Sequence, residues 1–406
     1  MSTKNQKLPP ALVLDLSATG VAVARILAAH GVTVYGAEAR VDSIGNYSKY
    51  IREPSFGYHI ELNDDLLDRL IEFSRLCDTL PVLIPADDLY IEFIGNHYDV
   101  LSNYYLMQSS LSPDISPQYL NKKDFYHLCE EYGVPYPKTI FAEGSENIQE
   151  VLEKLRFPII LKPNLIHKWK KYLKGKKVML VETKKELEDI FLNHKEILKD
   201  SMLQEVIPGA EDQLYLYKGY FSKDGKVLSS FTGRKIRQYP PDFGSASLAE
   251  SLPNKDVEKF SIDFLEAAKF HGLCGSEFKY DERDNEYKMI EINIRPQLWE
   301  DLTRIADKQL VWTAYCDLAG IEMPEDRPQR NGVKWVYSTR DLFSALHQVR
   351  SGNVSFKEWI ISYRGTRADA LIDFSDFRML LQLPVYTLIQ VYKYKIKPWF
   401  QGQEAK

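Results

Sequence analysis

Two stretches of the chain, Gly275-Ser-Glu-Phe-Lys-Tyr280 and Met289-Ile-Glu-Ile-Asn-Ile-Arg-Pro296, carry its strongest local pattern. Both have the composition of β-strands. Because residues two apart on a strand share a face, Glu291, Asn293 and Arg295 should point one way. The isoleucines that alternate with them should point into a core. The pattern predicts a row of polar side chains on one face of a sheet.

A turn at residues 281–285 should fold these two strands into a hairpin and place Glu277 opposite the polar row. Two carboxylates and an amide oxygen on a rigid sheet are the hard ligands that Mg²⁺ requires. The adjacent Arg295 is suited to neutralise charge on a transferring phosphoryl group. An exposed strand face with alternating polar residues explains the same pattern equally well.

A second signal lies in Leu203-Gln-Glu-Val-Ile-Pro-Gly-Ala-Glu211, which reads as a strand that runs into a Pro-Gly turn. Unpaired backbone groups at such a strand end are able to hydrogen-bond an adenine edge, and Glu211 is placed to grip ribose hydroxyls. Taken alone, the segment is more typical of a plain strand and turn.

A third signal is a pair of lysines, Lys122 at the start of a predicted helix and Lys162 at the end of a short predicted strand. Ammonium groups suit polyphosphate binding. An isolated lysine is nevertheless usually a solvated surface group.

The N-terminal region predicts a βαβ start, with a strand at 11–16, a helix at 21–30 and a second strand at 32–35. The intervening turn ends in a single glycine, Gly20, where a dinucleotide-binding fingerprint needs three. This favours a structural open-sheet unit over NAD binding. Later apolar runs predict an antiparallel α+β unit; its strands are expected at 179–182, 202–206, 214–221, 227–231, 274–280 and 287–294.

Taken together and in the order in which they occur along the chain, the three signals resemble the ATP-grasp superfamily over residues 120–300. The resemblance implies an α/β and α+β architecture, an ATP-grasp fold preceded by a Rossmann-like pre-ATP-grasp domain. We expect the pre-ATP-grasp domain at 1–115, the ATP-grasp domain at 116–320 and a C-terminal extension at 321–406. The tract 125–139 is most similar to D-aspartate ligases and related carboxylate–amine ligases, which often act on cell-envelope precursors.

The resemblance also implies ATP and two Mg²⁺ ions as cofactors, with Mn²⁺ able to substitute. Two departures from the usual family pattern stand out: a glutamine at position 204, where many members have glutamate, and a lysine-rich loop at 164–177 in place of a small-residue phosphate flap. The implied site residues are Lys122 and Lys162 for the phosphates, Gln204 with the backbone of Glu205 and Ile207 for adenine, Glu211 for ribose, Glu277, Glu291 and Asn293 for the metal ions, and Arg295 for the phosphoryl group.

Residues 231–247 are expected to lie between strands beside this site, where Arg234, Lys235 and Arg237 precede a Pro/Gly/Ser-rich stretch. Such cations suit a substrate carboxylate and an acyl phosphate. The alternative is a solvated basic hairpin.

The activity implied by the resemblance is ATP-dependent carboxylate–amine ligation on small-molecule substrates, with no covalent enzyme nucleophile. Two alternatives stay open. One is an ATP-grasp carboxylase or kinase, and the other is a non-catalytic nucleotide-binding protein.

Composition limits the partners and the setting. The chain has 406 residues, 44% hydrophobic and 27% charged, with a net charge of −5, whereas nucleic-acid binders usually carry a basic excess. Four dispersed cysteines fit a cytoplasmic protein. Residues 377–400 mix aromatic and apolar residues with lysines. One interpretation is weak contact with the inner face of the membrane. The alternative is a terminal element that packs on the body of the protein, and Pro384, which should break a continuous helix there, favours it. A homodimer is also expected.

Overall fold

The computed structural model describes residues 7–142, 148–163, 178–194, 198, 201–241 and 244–392. The lysine-rich loop that we expected to act as a phosphate flap, 164–177, lies outside these residues. So does the basic end of the C-terminal stretch, 393–400.

The first unit is built on a buried parallel sheet. Its strands β1 (Ala11–Leu14), β2 (Val34–Ala37) and β3 (Val82–Pro85) are arranged in the order β2-β1-β3, and helix α1 (Ala18–Ala29) connects the first two. The predicted βαβ start is therefore present. The following helices are α2 (Asp64–Leu76), α3 (Asp88–Asn96), α4 (Tyr98–Leu101), α5 (Ser116–Leu120) and α6 (Lys122–Glu131).

A four-stranded antiparallel sheet follows, in the order β4-β7-β5-β6. Two helices cover one face of it, and their apolar residues Leu187 and Ile190 share a small core with Ile159 and Leu161. Its strands are β4 (Thr139–Ala142), β5 (Ile159–Pro163), β6 (Met179–Val181) and β7 (Ser201–Glu205), and its helices are α7 (Ile148–Lys154) and α8 (Lys184–Asn193).

The largest sheet has seven strands in the order β12-β11-β8-β9-β10-β13-β14, antiparallel except for the last pair. Its strands are β8 (Leu214–Phe221), β9 (Val227–Tyr239), β10 (Ser245–Ser251), β11 (Gly272–Asp281), β12 (Glu286–Asn293), β13 (Lys334–Val336) and β14 (Thr366–Asp369). Helices α9 (Lys255–Ala267), α10 (Glu300–Ile305), α11 (Leu310–Ala319), α12 (Ser338–Arg350), α13 (Phe356–Ser362) and α14 (Phe377–Val391) complete the described chain.

The strand expected at 227–231 is much longer than its apolar run. Strand β9 continues to Tyr239, and a further strand, β10, starts at Ser245. The expectation of an irregular segment across 231–247 was therefore wrong over most of that range. The physical reason is that two of the charged residues in this stretch, Lys235 and Arg237, are buried and paired with carboxylates, so polarity did not mark the end of the strand.

The three-part division of the chain stays a prediction, because packing crosses both boundaries. One core cluster joins Leu12 of the first unit to Phe264 of helix α9. At the other boundary, β13 and β14 lie in the expected extension 321–406 but pair with the seven-stranded sheet.

The C-terminal helix α14 runs through Pro384, so the expectation that this residue breaks the helix was wrong. The helix is held at its start, where the buried Asp376 carboxylate accepts hydrogen bonds from Ser48 Oγ at 2.6 Å and from the Lys49 backbone N–H at 3.0 Å. Met379 anchors the inner face in the core. No helix among the described residues is long and apolar enough to cross a membrane.

A buried carboxylate, Asp341 on α12, joins this helix to the large sheet. It receives a two-point contact from Arg237 on β9, with Nε–Oδ1 3.0 Å and Nη2–Oδ2 2.7 Å. Ser247 Oγ and Tyr363 OH donate to the same carboxylate at 2.8 and 2.6 Å. Removal of one partner from a buried ion pair leaves an uncompensated charge, which is strongly destabilising.

We therefore expect Asp341→Ala to lower the free energy of unfolding by about 3–5 kcal/mol, since it strands the Arg237 guanidinium without its counter-charge. Chemical denaturation measures the loss. Asp68→Ala, at an exposed position of α2, is the control and should change stability by less than about 0.5 kcal/mol. Equal stability of the two variants would contradict the structural role given to Asp341.

Candidate active site

The hairpin expected from the sequence forms between β11 and β12. Glu277 lies directly opposite Glu291 in the strand register, and Gly275 lies opposite Asn293. The register shifts just after Glu277, so that Phe278 pairs with Met289 and Ile290 is the extra residue of a β-bulge.

The polar row on β12 is linked by hydrogen bonds. Asn293 Nδ2 donates to Glu291 Oε1 at 3.1 Å, and Arg295 Nη2 donates to Asn293 Oδ1 at 3.2 Å. Across the sheet, Lys235 Nζ on β9 lies 2.6 Å from Glu277 Oε2. Two carboxylates, an amide and two cations thus occupy one region of the sheet.

Lys162 approaches this region from the four-stranded sheet. Its Nζ donates to Gln204 Oε1 at 2.9 Å. The amide nitrogen of Gln204 donates in turn to Tyr126 OH and Thr139 Oγ1, each at 2.8 Å. Both polar atoms of the Gln204 side chain therefore have hydrogen-bond partners, and the side chain holds Lys162 in place.

The electrostatic surroundings of Lys162 bring four of the expected site residues together. Burial and, to a smaller extent, the neighbouring charge of Lys122 lower the pKa of Lys162 to about 8, while Glu291 and Glu277 act in the opposite direction. Lys122, the first residue of α6, is thus close enough to Lys162 for the two ammonium groups to repel. A cation pair facing two carboxylates is suited to a polyphosphate with its metal ions.

A tyrosine joins the two sheets at this point by hydrogen bonds. Tyr126 OH accepts from Gln204 Nε2 and donates to the backbone oxygen of Ile290 at 3.0 Å. The bulge residue of β12 is thereby tied to the strand that carries Gln204.

The side chain of Glu205 supports the local structure. Its carboxylate accepts from the Arg156 backbone N–H at 2.9 Å and lies 3.3 Å from Arg283 Nη1. Its own backbone N–H donates to Lys138 O at 3.0 Å. Ile207 is buried just beyond the end of β7.

Glu211 lies in a short helical turn between β7 and β8 and connects two elements. Its Oε2 accepts from the Gln238 backbone N–H at 3.2 Å and from Gln348 Nε2 at 3.0 Å. Its carboxylate therefore has partners in β9 and α12.

The three cations expected to bind substrate have different partners. Lys235 contacts Glu277 in the polar row. Arg234 donates from Nε to Glu250 Oε1 at 3.0 Å, and Arg237 is buried against Asp341. The structure thus brings Lys235 to the polar row and directs both arginines to other carboxylates.

Sequence reasoning missed Asp88, which contacts Arg295 from the first unit. The position of Asp88 in the sequence could have indicated that it lies near the site. Asp88 follows β3, and the carboxyl ends of parallel strands are where open α/β sheets place functional side chains.

The donor chemistry of Glu277, Glu291 and Asn293 fits magnesium, because all three offer hard oxygen atoms. No cluster of three or more His, Cys, Asp or Glu side chains in a metal-binding arrangement occurs within the described part of the chain. That finding does not conflict with this set, whose third member is an asparagine.

No family model matches the chain. It is 29% identical over 223 residues to a D-aspartate ligase of Enterococcus faecium (strain Aus0004), a match that covers 53% of this chain and 53% of the ligase. The chain thus spans about half the length of this curated relative.

Solved structures resemble the chain over most of its length. The N5-carboxyaminoimidazole synthetase of Staphylococcus aureus complexed with ADP matches with a TM-score of 0.61 and 14% identity, over 87% of this chain and 89% of that one. The biotin carboxylase domain of the Hydrogenobacter thermophilus 2-oxoglutarate carboxylase matches with a TM-score of 0.61 and 13% identity, over 81% and 74%. At this identity the likeness establishes the fold, and the architecture expected from the sequence is confirmed: the chain has the ATP-grasp fold, preceded by a parallel-sheet unit.

Proposed function

We propose that this chain is an ATP-dependent ligase that activates a carboxylate as an acyl phosphate and joins it to an amine, forming an amide or peptide bond. The observation that carries the proposal is the meeting of charges from two sheets, where Lys162 interacts with Lys122, Glu277 and Glu291. The likeness to a D-aspartate ligase supports the carboxylate–amine class. Small-molecule carboxylates and amines, including cell-envelope or amino-acid precursors, are the proposed substrates.

In the proposed reaction, a carboxylate oxygen attacks the γ-phosphorus of ATP, and the bond from that phosphorus to the bridging oxygen breaks to release ADP. The amine then attacks the acyl carbon, loses a proton and displaces phosphate. The protein supplies positioning and positive charge. Lys122 and Lys162 bind the phosphates, and Arg295 offsets charge as it develops on the transferring group.

The nucleotide subsite is proposed at the end of β7, next to Gln204. The backbone of Glu205 and Ile207 holds the adenine edge, and Glu211 holds the ribose. Gln204 acts through its hydrogen bond to Lys162, so its contribution to nucleotide binding is to orient that lysine.

Among the three cations near the site, Lys235 is proposed to contact the acyl phosphate, because it already lies beside Glu277. Arg234 and Arg237 are proposed to hold β9, and with it Lys235, through their contacts with Glu250 and Asp341.

Two Mg²⁺ ions are proposed on Glu277, Glu291 and Asn293, with Mn²⁺ able to replace them because it accepts the same oxygen donors. When bound, the ions would neutralise the phosphate oxygens. Two of these side chains, Glu291 and Asn293, form a hydrogen-bonded row with Arg295, and Glu277 contacts Lys235.

Incubation of the chain with Mg-ATP and mixtures of amino acids and short peptides should release phosphate and yield an amide of matching mass. We expect Glu291→Gln to lower this turnover by about 100-fold or more, because it removes a metal-binding charge. The fold should be unaffected, since Glu291 is exposed. Phosphate release and product mass are the measurements.

Glu286→Gln removes a carboxylate from the same strand outside the site and is the matched control. Wild-type rates in Glu291→Gln would contradict the metal assignment. Absence of phosphate release by the wild-type chain with every mixture would contradict the ligase proposal itself.

Nucleotide binding should weaken as pH rises through about 8, because the charged form of Lys162 binds phosphate and is lost above its pKa. Gln204→Glu places a negative charge against the ammonium group. It should raise the pKa of Lys162 and move the alkaline loss of affinity upward by about one pH unit or more. Titration calorimetry with ATP in the absence of metal, over a series of pH values, measures this.

Gln118→Glu, an exposed position in α5, introduces the same charge at a distance and should leave the pH profile of the wild-type chain unchanged. If Gln204→Glu and Gln118→Glu gave the same alkaline limb, the coupling between residues 204 and 162 would be refuted.

We also propose that the chain is cytoplasmic and docks on the inner face of the membrane through α14. Four apolar side chains spaced along the helix, Phe377, Leu381, Val385 and Leu388, are 54–70% exposed. Arg378 is the single charged residue within the helix. Such an apolar face suits insertion at the level of the lipid headgroups.

The residues that follow the helix in sequence support an anionic lipid surface as its partner. Lys393, Lys395 and Lys397 precede Trp399 and Phe400. Juxtamembrane lysines are attracted to anionic headgroups, and aromatic residues favour the interface.

Co-sedimentation with vesicles of phosphatidylglycerol and phosphatidylcholine tests this docking. The variant Leu381→Glu/Leu388→Glu should lose vesicle binding, because it places two charges on the helix face that we propose to insert among the lipid headgroups. Leu192→Glu, at an 80%-exposed leucine on α8, should bind as the wild-type chain does. Equal sedimentation of all three proteins would contradict docking through α14.

We also propose that the chain forms a homodimer. Its support is that the similar biotin carboxylase domain of the Hydrogenobacter thermophilus enzyme is a dimer. Light scattering on the wild-type chain and on Leu381→Glu/Leu388→Glu reports the oligomeric state and separates self-association through α14 from lipid binding.

A further inference from the structure

The guanidinium of Arg295 is gripped by a carboxylate from a different part of the chain. Arg295 Nε lies 2.6 Å from Asp88 Oδ1, and Nη2 lies 3.0 Å from Asp88 Oδ2. This is a fork-to-fork contact, which fixes the plane of a guanidinium as well as its position. The two residues are separated by 207 positions in the sequence.

The backbone of the first unit sets the position of Asp88. Strand β3 ends at Pro85, Asp87 caps α3 by accepting from the Leu89 backbone N–H at 3.1 Å, and Asp88 is the first residue of that helix. A negative charge is favoured at a helix N-terminus. Asp88 is therefore held on a regular element of the first unit.

The other donors of Arg295 make weaker contacts on the side of the large sheet. Nη2 also donates to Asn293 Oδ1, and Nη1 donates to Pro296 O, both at 3.2 Å. The shortest contact that orients Arg295 is thus the one with Asp88.

We propose that Asp88 is a positioning residue for phosphoryl transfer: it fixes the Arg295 guanidinium beside Asn293 and thereby makes the first unit part of the active site. This inference rests on the proposed ligase function. An unrestrained arginine side chain must lose rotamer freedom before it can act. A fixed one loses little during the reaction.

The competing explanation is a tether that only joins the two units. The side chain of Asp88 is 51% exposed, and a partly exposed ion pair contributes little to stability. A tether of that kind would not change the turnover of the folded protein, and it would not depend on whether residue 295 is an arginine.

The test is a double-mutant cycle on the full chain, with Asp88→Asn, Arg295→Gln and the combination. We expect Asp88→Asn to lower kcat by about 10- to 100-fold with little change in KM for ATP. It should have no further effect in the Arg295→Gln background. Asp88→Glu retains the charge and should recover part of kcat. Glu92→Gln, an exposed position one turn later on α3, is the matched control and should behave as the wild-type chain.

Two results would overturn the positioning role while the ligase function stands: a wild-type kcat for Asp88→Asn, or an equal loss from this substitution with and without Arg295. Loss of thermal stability in Asp88→Asn with unchanged kcat would establish the tether instead. A wild-type chain that releases no phosphate with any substrate mixture would overturn the ligase proposal and the positioning role with it.

Discussion

The site is organised by a half-buried lysine, Lys162, that lies near a second lysine, Lys122. Burial and the charge of Lys122 both disfavour the ammonium form of Lys162, and the two carboxylates on the neighbouring sheet partly restore it. Additional negative charge near Lys162 would stabilise its ammonium form further. The polyphosphate proposed as the ligand would supply such charge, so the surroundings that lower the pKa of Lys162 also favour the proposed binding.

Because the site combines charges from both sheets, the hydrogen bonds that hold the two sheets in a fixed relative position are important. Gln204 is neutral, so it orients Lys162 without compensating its charge. Tyr126 joins Gln204 to the bulge at Ile290. A slip of one residue in β12 would break that bond and turn Glu291 and Asn293 to the opposite face.

The hairpin, its polar row and the N-terminal βαβ start were predictable because each rests on a local rule, the alternation of side chains along a strand or the period of a helix. Ile292 and Ile294 are buried as the alternation requires, but Ile290 is displaced by the bulge and Met289 takes the core position. Strand β9 could not be bounded from its composition, because the partner of Arg237 is more than a hundred residues away. The contact of Asp88 with Arg295 is hidden for the same reason. The roles given to individual side chains remain proposals.

The seven-stranded sheet is completed late in the sequence. The strands that carry Glu277 and Glu291 end at Asn293, yet the edge next to β10 is covered only when β13 pairs with it, and β14 follows later still. During synthesis, a nascent chain that already contains the whole polar row would still present an open strand edge, which is a template for association with other chains. The ribosome must add at least the residues up to Val336 before that edge closes, so the maturation of this protein is expected to depend on protection of β10 during translation.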